Sequence, residues 1–465
     1  MVALFRLRVL LAIILCGVGG LCHAGVRVGD DKPPLPEIPG LPPCLPSVLL
    51  PGPASGDKQT SIMALLDLSV RPVKTGPLDV PESRQGSGTA WLPDSTPLFL
   101  EAGTLGKWQL GLRGLVSTGD DIMDGPRGRK AVILPNWACL SAWGHLGEAD
   151  QLRLTLMMSL DHYTFGSNDV PQLFQTGNTI NGASLPDQQG ASSVFQEISA
   201  RYAHQTSARG ALFCYLAPVG EPALGPVAYT QRTYGLDDPL QPLGSPWQDA
   251  THVSFGVITA GYQENQWQWE ASTFNGREPS DAWYNIQSAH PDSFSSRLSV
   301  NPSANWALQA SYGYLRSPYA LEPDVDIHRL TASAIYNYPL TRQRNFQATA
   351  VWADNDRQGQ ALQSFLLEGE LKHDGGWSPY LRYEYLQQCA EDLLLPAPFS
   401  PEQRFGMSQL TLGVSRDIIS DGSYQWGAGV QYMVSMAPDA LQSLYGHNPG
   451  GWLFYIRVYP KQLKE

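Results

Sequence analysis

The stretch QLRLTLMMSLDHY (151–163) sets Leu152, Leu154, Leu156, Met158 and Leu160 against Gln151, Arg153, Thr155, Met157, Ser159 and Asp161. Successive side chains of an extended chain point to opposite faces, so period two predicts a strand with one apolar row. From Lys107 onward the cadence returns about sixteen times. Trp267, Trp269 and Ala271 oppose Gln268, Glu270 and Ser272; Trp306, Leu308, Ala310, Tyr312 and Tyr314 oppose Gln309 and Ser311. Near the end, Trp426, Ala428, Val430 and Tyr432 alternate with Gln425, Gly427 and Gln431, and Trp452, Phe454, Ile456 and Val458 with Arg457 and Tyr459. Each run is about 9 to 11 residues, the length of a tilted membrane strand.

The connections alternate as well. Odd-numbered strands are followed by long polar loops at 117–130, 164–190, 217–251, 275–292, 317–326, 389–403 and 438–450, with a shorter connection near 354–359. Even-numbered strands are followed by tight turns: GHLGEAD, QTSARG, QENQ, NPSAN, TRQR, DGG and SDGS. A meander with two unlike ends is the plan of outer-membrane barrels, with short periplasmic turns and long external loops. A soluble sandwich also alternates, but its inner face is aliphatic and its long loops are spread over both ends. Here the face opposite the apolar row carries Arg, Glu, Gln, Ser and Gly, which suits a wet lumen, so the apolar row faces lipid. Aromatics at strand ends, Trp306 with Tyr314, Trp377 with Tyr385 and Trp426 with Tyr432, fit two interfacial girdles. The expected fold is all-β: a closed antiparallel transmembrane barrel of about sixteen strands (14 to 18), since an open edge in hydrocarbon leaves backbone groups unpaired. Such a barrel is too wide for its wall side chains to fill. It must hold water, a plug, or both.

Composition narrows the setting. Residues 1–24 read as a signal peptide: Arg6 and Arg8, then VLLAIILCGVGGL, then Cys22-His23-Ala24. Beyond it no run of about 18 apolar residues remains for a membrane helix. With 13 Trp, 20 Tyr and 16% charged residues, the chain favours short strands over long helices. Without Arg6 and Arg8, 29 basic residues stand against 43 acidic, a net charge of −14 that argues against a nucleic-acid partner. Cys44, Cys139, Cys214 and Cys389 have neither metal-ligand nor redox spacing. Residues 25–88, with DKPPLPEIPGLPPCLP and PGPASGDK, are too rich in Pro and Gly for a packed core and read as a disordered periplasmic extension around one apolar patch, SIMALLDLSV. The barrel is then 89–465.

Candidate chemistry lies on the inward phase. Arg113, Arg153, Arg201, Arg297, Arg329, Arg382 and Arg457, with Glu197, Glu270, Glu368, Glu370 and Glu384, fall on the polar face. On the lipid face an Arg near the midplane costs about 2 to 4 kcal/mol, so this phase is forced. These charges either set ion preference or pair across neighbouring strands to stiffen the wall. In the longest loop, Gly220, Glu221, Pro222, Gly225 and Pro226 suit a compact fold that turns into the lumen as a constriction or caps the rim. Asp161-His162 and Asp120-Asp121 sit near the long-loop end, but no G-x-S-x-G elbow or paired histidines accompany them, so solvated rim polars outweigh catalysis. No cofactor or metal is expected.

Four segments, LAPVGEPALGPVAYTQR (216–232), PLGSPWQDATHVSFGVITAGY (242–262), FNGREPSD (274–281) and RLSVNPSANWALQASYGYLRSPYALEPD (297–324), resemble a poorly characterised family of Gram-negative outer-membrane proteins. The resemblance covers about residues 88–340 well and implies a porin-like barrel, but little established function. Relatives carry a His- and Asp-rich stretch after the third strand and a His before the first. The matching positions here read DQQGAS (187–192) and EAGTLGKW (101–108), so no metal chemistry carries over. The expected function is a channel for passive passage of small solutes or ions; the alternative is a non-conducting barrel serving as a surface scaffold or binding protein. Expected partners are outer-membrane lipid, the barrel-assembly machinery and small solutes. For assembly, the terminal aromatic signal is displaced inward to Tyr455 and Tyr459, ahead of PKQLKE.

Overall fold

A computed structural model describes residues 78–463 except 166–169, 177–178, 181–182, 192, 249–252, 280–283, 285, 320, 342–343 and 374. The signal peptide, the patch SIMALLDLSV, Cys44 and the extension up to residue 77 lie outside the described residues. Among the described residues the fold is built on one antiparallel sheet of eighteen strands, with two small two-stranded ribbons in the loop before Phe195. Two of the eighteen, Glu101–Leu105 and Lys130–Ile133, are short ribbons laid against the first long strand. The other sixteen form the wall: β1 (Trp108–Met123), β2 (Asn136–His145), β3 (Asp150–Met158), β4 (Phe195–Gln205), β5 (Gly210–Gly220), β6 (Ser254–Glu264), β7 (Trp267–Phe274), β8 (Ser293–Ser303), β9 (Trp306–Leu315), β10 (Ile327–Pro339), β11 (Asn345–Arg357), β12 (Gln360–Lys372), β13 (Trp377–Cys389), β14 (Arg404–Asp421), β15 (Tyr424–Met436) and β16 (Gly450–Pro460). Each pairs with its neighbours in sequence, and β1 closes the ring on β16 through Val116↔Val458 to Met123↔Gly451. Among the described residues no wall edge is left unpaired, as hydrocarbon requires.

The predicted phase holds. Leu154, Trp269, Leu308, Leu412 and Phe454 are exposed on the outer face, while Arg297, Arg329, Arg382 and Arg457 are buried on the inner one. Outer aromatics cluster in contact, as in Trp306–Tyr336–Phe346 near the short turns and Phe294–Tyr314–His328 or Tyr432–Trp452 near the long loops. Several loop boundaries differ from the sequence reading; the loops read as 164–190 and 217–251, for example, lie between Met158 and Phe195 and between Gly220 and Ser254. The first loop was expected from Ser117, but β1 continues to Met123 because its upper half gains partners on both sides, β16 and the Lys130–Ile133 ribbon. The shorter connection is a two-residue hairpin turn with Gln358 and Gly359 both at positive φ (54° and 87°), the geometry that matches strand twist.

Residues 78–100, which include the last part of the stretch read as an extension, run inside the ring at its short-turn end before Phe99 bridges Gln462. A hairpin in this segment, closed by the Gln85↔Trp91 bridge, points up the barrel. From the other end the loop after β5, residues 221–248, descends into the ring as a strap, with every one of residues 221–230 buried.

Candidate functional site

In an open pore the inward side chains meet water. Here Gln268, Glu270, Arg297, Asn301, Arg329, Asn355, Glu368, Arg382, Gln431 and Arg457 are all at most 2% exposed, so the described lumen is occupied. The occupants are the 78–100 segment and the strap.

The segment is held largely through its backbone carbonyls. Gln151 donates to the Leu78 oxygen (2.9 Å), Gln268 to Thr89 (2.8 Å), Asn301 to Leu92 (2.9 Å) and Asn337 to Ser95 (2.6 Å). Its Arg84 pairs internally with Asp94 (2.6 Å) and also donates to the Asn265 carbonyl of the β6–β7 turn (2.7 Å). Thr89 donates to Glu270 (2.5 Å) and accepts from Arg297 (3.0 Å). Glu82 is gripped by Arg153, whose two terminal nitrogens reach its two oxygens at 2.6 and 2.8 Å, and by Arg113 at 3.1 Å. Burial alone would raise the Glu82 carboxyl, but Arg153 and then Arg113 outweigh it and hold the group below its ordinary value.

The strap starts on the same stretch of wall, β7 to β9. Ala223 and Gly225 donate backbone N–H groups to Ser272 and Ser311. Gly225 has φ of +83°, a conformation only glycine takes without strain, and its carbonyl accepts from Arg297 (3.0 Å). Gly88 of the segment hairpin also has positive φ, and a Cβ there would meet the Glu221 side chain at 2.8 Å, so segment and strap touch tightly. Farther along, Arg382 bridges Asp238 (3.1 Å) and Glu368 (3.0 Å), and Arg457 and Lys372 both pair with Asp237. Burial opposes ionisation of Asp237, but Arg457 and Lys372 prevail and hold it well below the usual carboxylate range. Gly244 donates to Glu384 (3.3 Å), and Pro246 accepts from Arg329 (2.9 Å).

Every inward charge singled out from sequence therefore lies in the lumen, and most serve its contents. Glu270–Arg297 and Glu368–Arg382 are also direct cross-strand partners. Glu370 is paired with Lys372 (2.8 Å), and Glu197 accepts from Ser199 (2.6 Å) and Tyr215 (3.1 Å). Arg201 stands over the Phe213 ring and donates to Gln263. Of the loop candidates, Gly220 ends β5, and Glu221, Pro222, Gly225 and Pro226 all lie within the inserted strap. Asp161 is buried as a structural acceptor for Asn136 (2.9 Å); Asp120 is exposed and Asp121 buried. Tyr455 and Tyr459, expected to serve assembly, face inward, where they donate to the Asp237 carbonyl and the Asp417 carboxylate.

Sequence reading missed Glu82, Thr89, Asp237, Asp238, Lys372 and Arg232, the last pairing the strap with Glu368 of the wall (3.1 Å). A signal for the strap was present: Tyr229, Tyr234, Leu236, Leu240, Leu243 and Trp247 are too apolar for a solvated external loop. The segment gave only a weak one, the end of the Pro-rich run before Trp91-Leu92.

No family model matches the chain, and no curated protein does. Solved structures similar to it include OmpF of Salmonella typhi in complex with daunomycin (TM-score 0.49, 11% identity, 77% of this chain and 100% of that one). An anion-selective porin from Comamonas acidovorans (0.45, 13%, 76% and 99%) and a loop L8 deletion mutant of OmpT, an outer membrane protein of Vibrio cholerae (0.44, 10%, 76% and 99%), are others. Nothing about function follows from values this low.

Proposed function

We propose that this chain is a porin-like channel of the Gram-negative outer membrane, for small solutes or ions, that rests closed. Its short turns and the 78–100 segment face the periplasm; its long loops face outward. The observation that carries the reading is the chemistry of the closure at the short-turn end. A segment joined to its wall by carbonyl, amide and guanidinium contacts leaves behind groups that water can satisfy, whereas a permanently sealed barrel gains more from apolar packing. The apolar belt supports the membrane location, since exposed Leu, Trp and Phe of this density are stable only against lipid.

The second reading, a non-conducting scaffold, draws on the long-loop end, where Phe165, Leu173, Phe174, Leu240, Leu393, Phe405, Met407, Met433 and Leu453 share one buried cluster. The two are separated in a planar bilayer. A channel gives stepwise currents in the full-length protein when Glu221–Thr230 is deleted or when the segment is loosened. A scaffold stays silent in both forms.

A further inference from the structure

We infer that Arg113 and Arg153 form a binding site for a small organic carboxylate, and that the Glu82 side chain occupies this site in cis while the barrel is closed. The inference deepens the proposed function, resting on it only in that the 78–100 segment must be able to leave.

The argument begins with strand register. Arg153 on β3 lies directly opposite Arg201 on β4, and across β2 the inward row carries Trp143 and Cys139 but no acid. Like charges facing each other across a ladder are destabilising unless something negative lies between or above them. The inward acid on β4, Glu197, accepts from Ser199 and Tyr215 and acts on Arg153 only through space. The carboxylate in direct contact with Arg153 comes from the segment.

Its geometry is that of ligand recognition. Two parallel N–H···O contacts from one guanidinium to both carboxylate oxygens are the fork-to-fork arrangement that favours planar carboxylates over spherical anions. The Arg153 guanidinium also lies over the Trp143 ring, 5.0 Å from its centroid, a wall contact that does not depend on the segment. Arg113 adds a third contact and is steadied by the Glu82 and Gln85 carbonyls. The same two arginines hold Glu82 below its ordinary value. Withdrawing the segment bares both guanidiniums to solutes entering from the short-turn end, so entry of a carboxylate and return of the plug exclude one another.

The test is chemical rescue in the full chain. Glu82→Ala removes a side chain whose carboxyl end is that of propionate. Equilibrium dialysis of detergent-folded E82A with labelled propionate should show saturable binding absent from the wild type, weakened about tenfold or more by adding Arg153→Gln. Propionate should also restore slow hydrogen exchange to residues 78–92 in E82A. Absence of binding, binding insensitive to R153Q, or equal competition by chloride and phosphate would overturn the proposal. Should E82A not reach the folded barrel, Glu82→Gln keeps the shape and loses the charge; it should bind propionate more tightly than wild type, and equal binding would overturn the proposal. Currents from the same variants keep the two readings apart. Propionate binding in a protein silent in bilayers leaves this site standing and removes the channel; conductance indifferent to propionate does the reverse.

Discussion

The two ends of the lumen are closed by different chemistry. At the long-loop end Met123, Ile133, Phe165, Val170, Leu173, Phe174, Leu240, Leu243, Leu386, Leu393, Phe405, Met407, Met433, Leu441, Tyr445 and Leu453 pack as a hydrophobic core brought together from five loops and the strand ends beneath them. At the short-turn end the 78–100 segment is held mainly by hydrogen bonds and two arginines, with smaller apolar contacts such as Ala90 and Leu92 against Ala307 and Ile335. Apolar burial is lost whenever the parts separate, because water gives nothing back. Polar contacts are exchanged for water at a net cost of about 0.5 to 1.5 kcal/mol each. The second end is therefore the easier of the two to release.

That contrast can be broken at several points. Arg382 joins the strap to the wall between the two ends, and Arg382→Met leaves Glu368 and Asp238 buried without it. A loss of about 3 to 5 kcal/mol is expected in denaturant unfolding of the detergent-folded barrel. In the outer cap, Leu393→Ala should cost about 2 to 5 kcal/mol by the same measurement and leave hydrogen exchange at 78–92 unchanged. Glu82→Gln should do the opposite: about 1.5 to 3 kcal/mol of local stabilisation is lost, seen as faster exchange at 78–92, with the cap still protected. Equal loosening of both ends by either variant would dissolve the distinction. The smallest effect is on pH. Because Glu82 is depressed in the closed barrel, its contribution to closure is complete above the ordinary carboxylate value of about 4.3 and is lost as pH falls through its lower closed-state value. Segment exchange should therefore quicken only in strong acid, and E82Q should lack this response.

The wall was legible because lipid punishes error at every position. Trp269 or Leu308 facing in, or Arg297 facing out, would cost kilocalories apiece, so period two and the alternation of loops specify strands, phase and ring closure. The contents of the lumen were not, because a water-filled barrel and one filled by its own polar segments ask the same residues of the wall. Arg153 must point inward in either case; whether it meets water or Glu82 depends on a segment 71 residues away in sequence. The strap lies between these extremes. Gly220, Glu221, Pro222, Gly225 and Pro226 marked a compact loop, but its destination is fixed by Asp237 and Asp238, whose partners are on β12, β13 and β16.

The central claim is that the 78–100 segment is a removable closure of a conducting barrel. Ser87 at the tip of its hairpin accepts from the Ala228 backbone N–H of the strap at 2.8 Å, so cysteines at these positions, in a background without Cys44, Cys139, Cys214 and Cys389, place a reducible lock between hairpin and strap. With Glu82→Gln added to loosen the segment, the full-length protein should be silent in a planar bilayer while oxidised and show stepwise conductance once a reductant is added. Identical currents before and after reduction, or silence throughout, would contradict the account.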